Sequence, residues 1–256
     1  MPKLTGLSMD DLNQTLHGFQ YTSVSVDKLG ALEYTLAQMV ADQTGSVAPF
    51  KNDLEKMLQV SSEACKNSPR ANNLLYRTTA FNSSFSVPKV TELHGFTLLD
   101  QVDTSKFIGS LNPDGGTPLI DATLEAVEAI YDYGKKLYAK HYTCNGILFI
   151  LTDGEENASD PSHTTAMIKD TIARVCKERI LESIRTILIG VNDVEAYFKA
   201  KLEQFRNEAG LDEYVSIGEA TPGKLAKLAQ FVSQSVSSQS QSLGSGGPSQ
   251  PLSFKF

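Results

Sequence analysis

The chain has 256 residues, 41% hydrophobic and 21% charged, with a net charge of −7. That is a globular composition, long enough to bury its own core without disulfide staples, and it excludes a disordered chain. No basic run and no aromatic-interleaved Arg/Lys patch is present, which sets nucleic acid aside as the main partner.

Residues 1–33 are weakly patterned and read as an N-terminal extension packed on the domain that follows. Residues 34–41 read as a strand. Residues 47–65 carry apolar positions close to the helical period. Residues 72–82 are rich in β-branched and aromatic types and predict a strand. Residues 85–102 predict a short hairpin or pair of strands, with Pro88 keeping the first arm at an edge. Residues 119–138 form a long amphipathic helix whose stripe includes Leu119, Thr123, Ala126, Val127, Ile130 and Leu137. The apolar run Ile147 to Leu151 predicts a strand covered on both faces. A helix over 164–181, a buried strand over 183–191 and a helix over 194–210 closed by Gly210 follow. A short strand over 213–218 and a last helix over 221–238, with Thr221 as N-cap and Pro222 in its first turn, complete the pattern.

This alternation predicts a doubly wound α/β domain over 34–236, a mostly parallel central sheet flanked by helices. Ligand sites in such sheets form at the carboxyl ends of strands. Residues 237–256 are Ser/Gln/Gly/Pro-rich and predict a disordered tail ending in the apolar Leu252, Phe254 and Phe256.

Three cysteines without close spacing (Cys65, Cys144, Cys176) argue against a disulfide framework or zinc site and for free thiols in a reducing compartment. The first residues lack the pattern of a secretory leader, and no run of about 18 apolar residues exists to span a membrane. The expectation is a cytoplasmic protein. The histidines at 17, 94, 141 and 163 show no metal-ligand spacing.

Three short polar segments fall where strands end or helices begin. They are Asp42-Gln43-Thr44-Gly45-Ser46, Asp114-Gly115-Gly116-Thr117-Pro118 and Thr152-Asp153-Gly154. Asp42 and Asp153 supply carboxylates; Thr44, Ser46 and Thr117 supply hydroxyls. Such hard oxygen donors suit a magnesium-like cation, which takes about six oxygens and keeps several waters. An earlier Asp27-Lys28-Leu29-Gly30-Ala31 lacks oxygen donors at the matching places. Taken singly, Ser46 and Thr117 also read as helix caps, and Asp42 and Asp153 as turn residues. Glu155, Glu156 and Asp160 read as a solvated loop or as the rim of the site.

Together the segments resemble the metal-ion-dependent adhesion site of von Willebrand factor A (VWA) domains, with Thr44 where the usual D-x-S-x-S has its first Ser. The resemblance covers about 34–236. It implies that Thr44 and Ser46 coordinate a divalent ion (Mg2+, or Mn2+ or Ca2+), that Thr117 joins in the ligand-competent state, and that Asp42 and Asp153 act directly or through water. It also implies a protein partner that completes the coordination with a Glu or Asp. Intracellular bacterial and phage proteins of this kind suggest an AAA+ ATPase or another member of a multiprotein stress system as that partner. The alternatives are a metal-dependent hydrolase of phosphatase type, for which position 44 lacks the second carboxylate of D-x-D-x-T, and a structural scaffold whose partners use the termini.

Overall fold

A computed structural model describes residues 11–85 and 88–245. Eight strands form one sheet: β1 (Asp11–Gln14), β2 (Gln20–Ser23), β3 (Glu33–Asp42), β4 (Leu74–Phe81), β5 (Val90–Leu98), β6 (Thr143–Thr152), β7 (Ile184–Gly190) and β8 (Glu213–Ser216). Their order is β1-β2-β5-β4-β3-β6-β7-β8. The β1–β2 and β4–β5 pairs are antiparallel; the other neighbours are parallel. The five α-helices among the described residues are α1 (Lys51–Lys66), α2 (Leu119–Ala139), α3 (Thr165–Glu178), α4 (Ala196–Ala209) and α5 (Pro222–Ser245).

The strands at the centre are apolar on both faces because both faces are covered. Along β3, Ala37, Met39 and Ala41 meet α1 and α5, while Leu36 and Val40 meet the layer of α2, α3 and α4. Along β6, Ile147, Phe149 and Leu151 take the first side and Leu148 and Ile150 the second. This is the period-2 pattern of a doubly wound sheet. The chain leaves β3 toward α1 on one face and leaves β6 toward α3 on the other. Adjacent strands whose connections diverge in this way open a crevice at their carboxyl ends.

Three expectations need correction. Residues 11–33 are not simply an appendage, and residues 1–10 lie outside the described residues. From Asp11 the chain forms a hairpin, β1–β2, that widens the sheet, with Ser23 in register with Phe96 of β5. Among the described residues of 85–102 there is one strand, β5, and its partner is β4. The last helix continues past 238 to Ser245. Polar burial holds it there: Gln239 Nε2 donates to the Gly146 carbonyl (3.1 Å) and Ser183 Oγ (3.0 Å), and Arg70 Nε donates to Ser240 Oγ (3.0 Å). Leu252, Phe254 and Phe256 lie outside the described residues. Among the described residues, no helix is long and apolar enough to cross a membrane.

The side of α2 that sequence assigns to solvent is also covered. Asp121, Glu125 and Glu128 form an i, i+4, i+7 stripe, and all three are buried. Each has a basic partner. Lys89 and His163 reach Asp121 (2.9 and 2.7 Å), Arg77 grips Glu125 with two nitrogens (3.1 and 2.6 Å), and His17 of the β1–β2 turn meets Glu128. Arg77 is fully buried, also bonds Glu92 (2.9 Å), and lies over the rings of Tyr21 and Phe96. Removing one member of a buried ion group strands the others in low dielectric. Arg77→Met is therefore expected to cost about 3–5 kcal/mol in urea unfolding; a loss under about 1 kcal/mol would show that the ion group does not carry the α2–sheet contact.

Candidate metal centre

The three polar segments meet at the crevice between β3 and β6. Asp42 is the last residue of β3 and is buried. Its Oδ2 accepts from Thr152 Oγ1 at the end of β6 (2.7 Å), and its Oδ1 accepts from the Thr44 amide (2.8 Å). That second bond is an Asx turn, which bends the chain sharply as it leaves the strand. Thr44 Oγ1 lies 3.0 Å from Ser46 Oγ, and Ser46 Oγ donates to Asp153 Oδ1 (2.8 Å). A hydroxyl of the first segment thus touches a carboxylate 107 residues away.

The second segment is stitched to both others. The Gly45 amide donates to the Gly115 carbonyl (3.1 Å), and the Asp114 amide to the Gln43 carbonyl (3.0 Å). The Thr117 amide donates to Asn157 Oδ1 (2.7 Å), and the Asn157 amide returns a bond to the Thr117 carbonyl (3.0 Å). A Cβ added to Gly154 would lie 3.6 Å from Thr117 Oγ1, which places that hydroxyl beside the third segment. Two glycines make this approach possible. Gly115 has φ +68, and a Cβ on Gly116 would meet Asn157 Oδ1 at 2.6 Å. All five sequence-predicted donors, Asp42, Thr44, Ser46, Thr117 and Asp153, are therefore brought to one edge of the sheet.

The helix-cap readings of Ser46 and Thr117 fail. A 3-10 segment (Gly45–Phe50) containing Pro49 precedes α1, which begins only at Lys51, and Ser46 Oγ is committed to Asp153. The first turn of α2 is satisfied from elsewhere. The Ile120 amide donates to Glu156 Oε2 (2.7 Å) and the Asp121 amide to Ser159 Oγ (3.0 Å). Glu156 also accepts from the amides of Ala158 (2.9 Å) and Ser159 (2.7 Å) and from Ser159 Oγ (2.6 Å). Far from lying in a solvated loop, this carboxylate sits at the positive end of α2. Sequence reading also missed Gln43, whose side-chain oxygen accepts from the Asn112 amide (3.1 Å), along with Thr152, Asn157 and Ser83. Their roles depend on which distant backbone group each meets, and no local spacing announces that.

Electrostatically the site is short of positive charge. Burial, then the neighbouring Asp153 carboxylate, push Asp42 up to about 7. Burial also pushes Asp153 above the usual carboxylate range, against the bond from Ser46. The hydrogen-bond partners of both are hydroxyls and an amide, none of them cationic. Among the described residues, no three His, Cys, Asp or Glu side chains are grouped to hold a metal. The donor set is two carboxylates plus hydroxyls, which suits a hard cation and not zinc. Ser46 is exposed and Asp153 half-buried, so the site opens to solvent.

No protein-family model and no curated protein matches the sequence. Solved structures do resemble the fold. A von Willebrand factor type A protein from Catenulispora acidiphila aligns with 86% of this chain and 44% of its own at 13% identity, TM-score 0.51. The fold is VWA-like. The vWF domain of the type V pili tip protein Mfa5 from Porphyromonas gingivalis aligns over 88% of this chain and 99% of its own (11% identity, TM-score 0.53). The pilus adhesin SpaC from Lactobacillus rhamnosus GG aligns over 86% and 32% (11% identity, TM-score 0.56). The chain thus spans less than half of the SpaC and Catenulispora structures but nearly all of the Mfa5 VWA-like domain.

The two neighbouring glutamates separate by experiment. Glu156→Ala removes an acceptor shared by four donors and is expected to cost about 1–3 kcal/mol. Glu155→Ala loses only the exposed Tyr197 hydroxyl and the Lys201 ammonium, and is expected to cost under about 1 kcal/mol. Thermal or urea unfolding reads both; equal costs would contradict the capping role of Glu156.

Proposed function

We propose that this protein is a divalent-cation-dependent binding module that takes a carboxylate from a protein partner. Asp42, Thr44, Ser46, Thr117 and Asp153 would hold the ion, Mg2+ first, with Mn2+ or Ca2+ as substitutes. One observation carries the reading: the two carboxylates at the strand crevice have only neutral partners, the Thr152 hydroxyl and Thr44 amide for Asp42 and the Ser46 hydroxyl for Asp153. Glu125 and Asp121, also buried, have basic partners, whereas Asp193 is held by the Tyr214 hydroxyl and the Gly218 amide. A cation supplied from solution would do for Asp42 and Asp153 what Arg77 and Lys89 do for Glu125 and Asp121.

When bound, the ion supplies positive charge and a coordination position for an external carboxylate. The chain's residues supply the rest. Three hydroxyls are neutral ligands, so they leave the ion more of its charge than carboxylates in the same places would. Asn157 and Gln43 hold the second segment against the other two. Asp42, with both oxygens already accepting bonds, braces Thr44 and the end of β6. The neighbours named as a pilus adhesin and a pilus tip protein support binding over catalysis. Cytoplasmic residence belongs to the same proposal and is supported by the three free cysteines.

Titration calorimetry with MgCl2 is expected to show one site in the wild type and a loss of about 10- to 100-fold or more in Asp42→Ala and Thr117→Ala, with folding retained by circular dichroism. A wild type that binds neither Mg2+, Mn2+ nor Ca2+ would refute the proposal. Phosphoester turnover with magnesium is expected to stay at the buffer rate. Turnover that disappears in Asp42→Asn would assign a hydrolase instead.

A further inference from the structure

The face around the candidate metal centre is not uniformly polar. Among the described residues, eight large hydrophobic side chains are more than half exposed, and four of them, Phe85, Ile108, Val194 and Tyr197, lie in loops or at a helix start on the C-terminal edge of the sheet. Exposed apolar groups gathered at one edge mark an interaction surface more strongly than the same groups scattered singly.

These side chains are tied to the loops that carry the oxygen donors. Two residues before Phe85, Ser83 exchanges two bonds with Gly116: its amide donates to the Gly116 carbonyl (3.1 Å), and its Oγ accepts from the Gly116 amide (2.7 Å). Next to Ile108, the Gly109 and Leu111 amides donate to the buried Glu55 (2.8 and 2.9 Å), and Asn112 goes on to Gln43. The Tyr197 hydroxyl donates to Glu155 (3.0 Å), two residues after Asp153, and its ring packs on Phe198 and under Lys201. Val194 follows Asp193, a buried carboxylate that accepts from the Gly218 amide (2.8 Å). The Tyr197 side chain and the backbone beside Phe85, Ile108 and Val194 are thus tied to the fold before a partner arrives, which lowers the ordering cost of binding.

Charge narrows the partner further. The same edge exposes Asp114, Asp160, Glu195 and Glu219. This acidic rim repels a polyanionic partner, while a cation at the site would welcome a single carboxylate. We propose that the partner docks through a single Asp or Glu flanked by aromatic or branched apolar residues, which pack on Phe85, Ile108, Val194 and Tyr197. This specificity rests on the metal-dependent reading above and adds to it what surrounds the acidic residue.

A phage-displayed library of cyclic peptides, with one fixed Glu and randomised neighbours, tests the proposal on the full chain. Selection is run in magnesium and elution in EDTA. The expected winners carry aromatic or branched apolar residues beside the Glu and are depleted of further Asp and Glu. The best peptide, measured by surface plasmon resonance, is expected to bind a Phe85→Ser/Val194→Ser double variant about tenfold or more weakly. Magnesium affinity of that variant, measured by calorimetry, is expected to stay at the wild-type value. Winners with acidic neighbours, no enrichment, or a double variant that binds as well as the wild type would overturn the apolar rim while leaving the metal site standing. A wild type without measurable magnesium binding would overturn both.

Discussion

The side-by-side pairing of β3 and β6 is the constraint on which the rest of this structure depends. Their register runs from Glu33 opposite Thr143 to Ala41 opposite Leu151, so both strands end at the same level. Asp42 and Thr152 follow as neighbours, and Asp153 comes one residue later. A slip of one residue would turn Asp42 toward the other face and break its bond to Thr152. The apolar alternation that fills two cores also fixes where two carboxylates meet. Core packing and site geometry are here one and the same constraint.

Electrostatics then separates this pair from the buried acids of α1 and α2. Glu125 is desolvated, but Arg77 reaches it with two nitrogens. Asp121 has Lys89 and His163. Glu55 is spent on two backbone amides, with Lys51 3.7 Å away. Asp42 and Asp153 face each other with hydroxyls and an amide for company, and Asp42 is pushed up to about 7. Two like charges in a partly desolvated crevice repel, and a divalent ion is the simplest group that relieves the repulsion while accepting hydroxyl ligands. The glycines of the second segment matter for the same reason: they let Thr117 come close enough to contribute.

Much of this was legible in the sequence because the signals were local. The run from Ile147 to Leu151 is apolar on both parities, and only a strand covered on two sides needs that. The donors at 42, 44, 46, 117 and 153 sit beside strand ends and helix starts that periodicity alone places. What was missed is non-local. Asp121, Glu125 and Glu128 look like a solvent face until the β1–β2 turn, β4 and the residue before β5 bring His17, Arg77 and Lys89 over them. Glu156 looks like one acid in a polar loop until the first turn of α2 is seen to need its oxygens. The Ser/Gln run after 237 reads as disorder by composition, yet Gln239 and Ser240 find partners on β6, at Ser183 just before β7 and at Arg70 in the loop after α1. Polar residues satisfied by distant backbone leave no periodic trace.

In the proposed site, oxygen donors from three loops share one cation. An anomalous difference map from crystals grown in MnCl2 tests this most directly. The expected result is a single strong peak within about 2.0–2.6 Å of hydroxyl oxygens of Thr44 and Ser46, with Asp42, Thr117 and Asp153 touching it or its waters. A crystal that binds manganese elsewhere and leaves this crevice with water alone would contradict it.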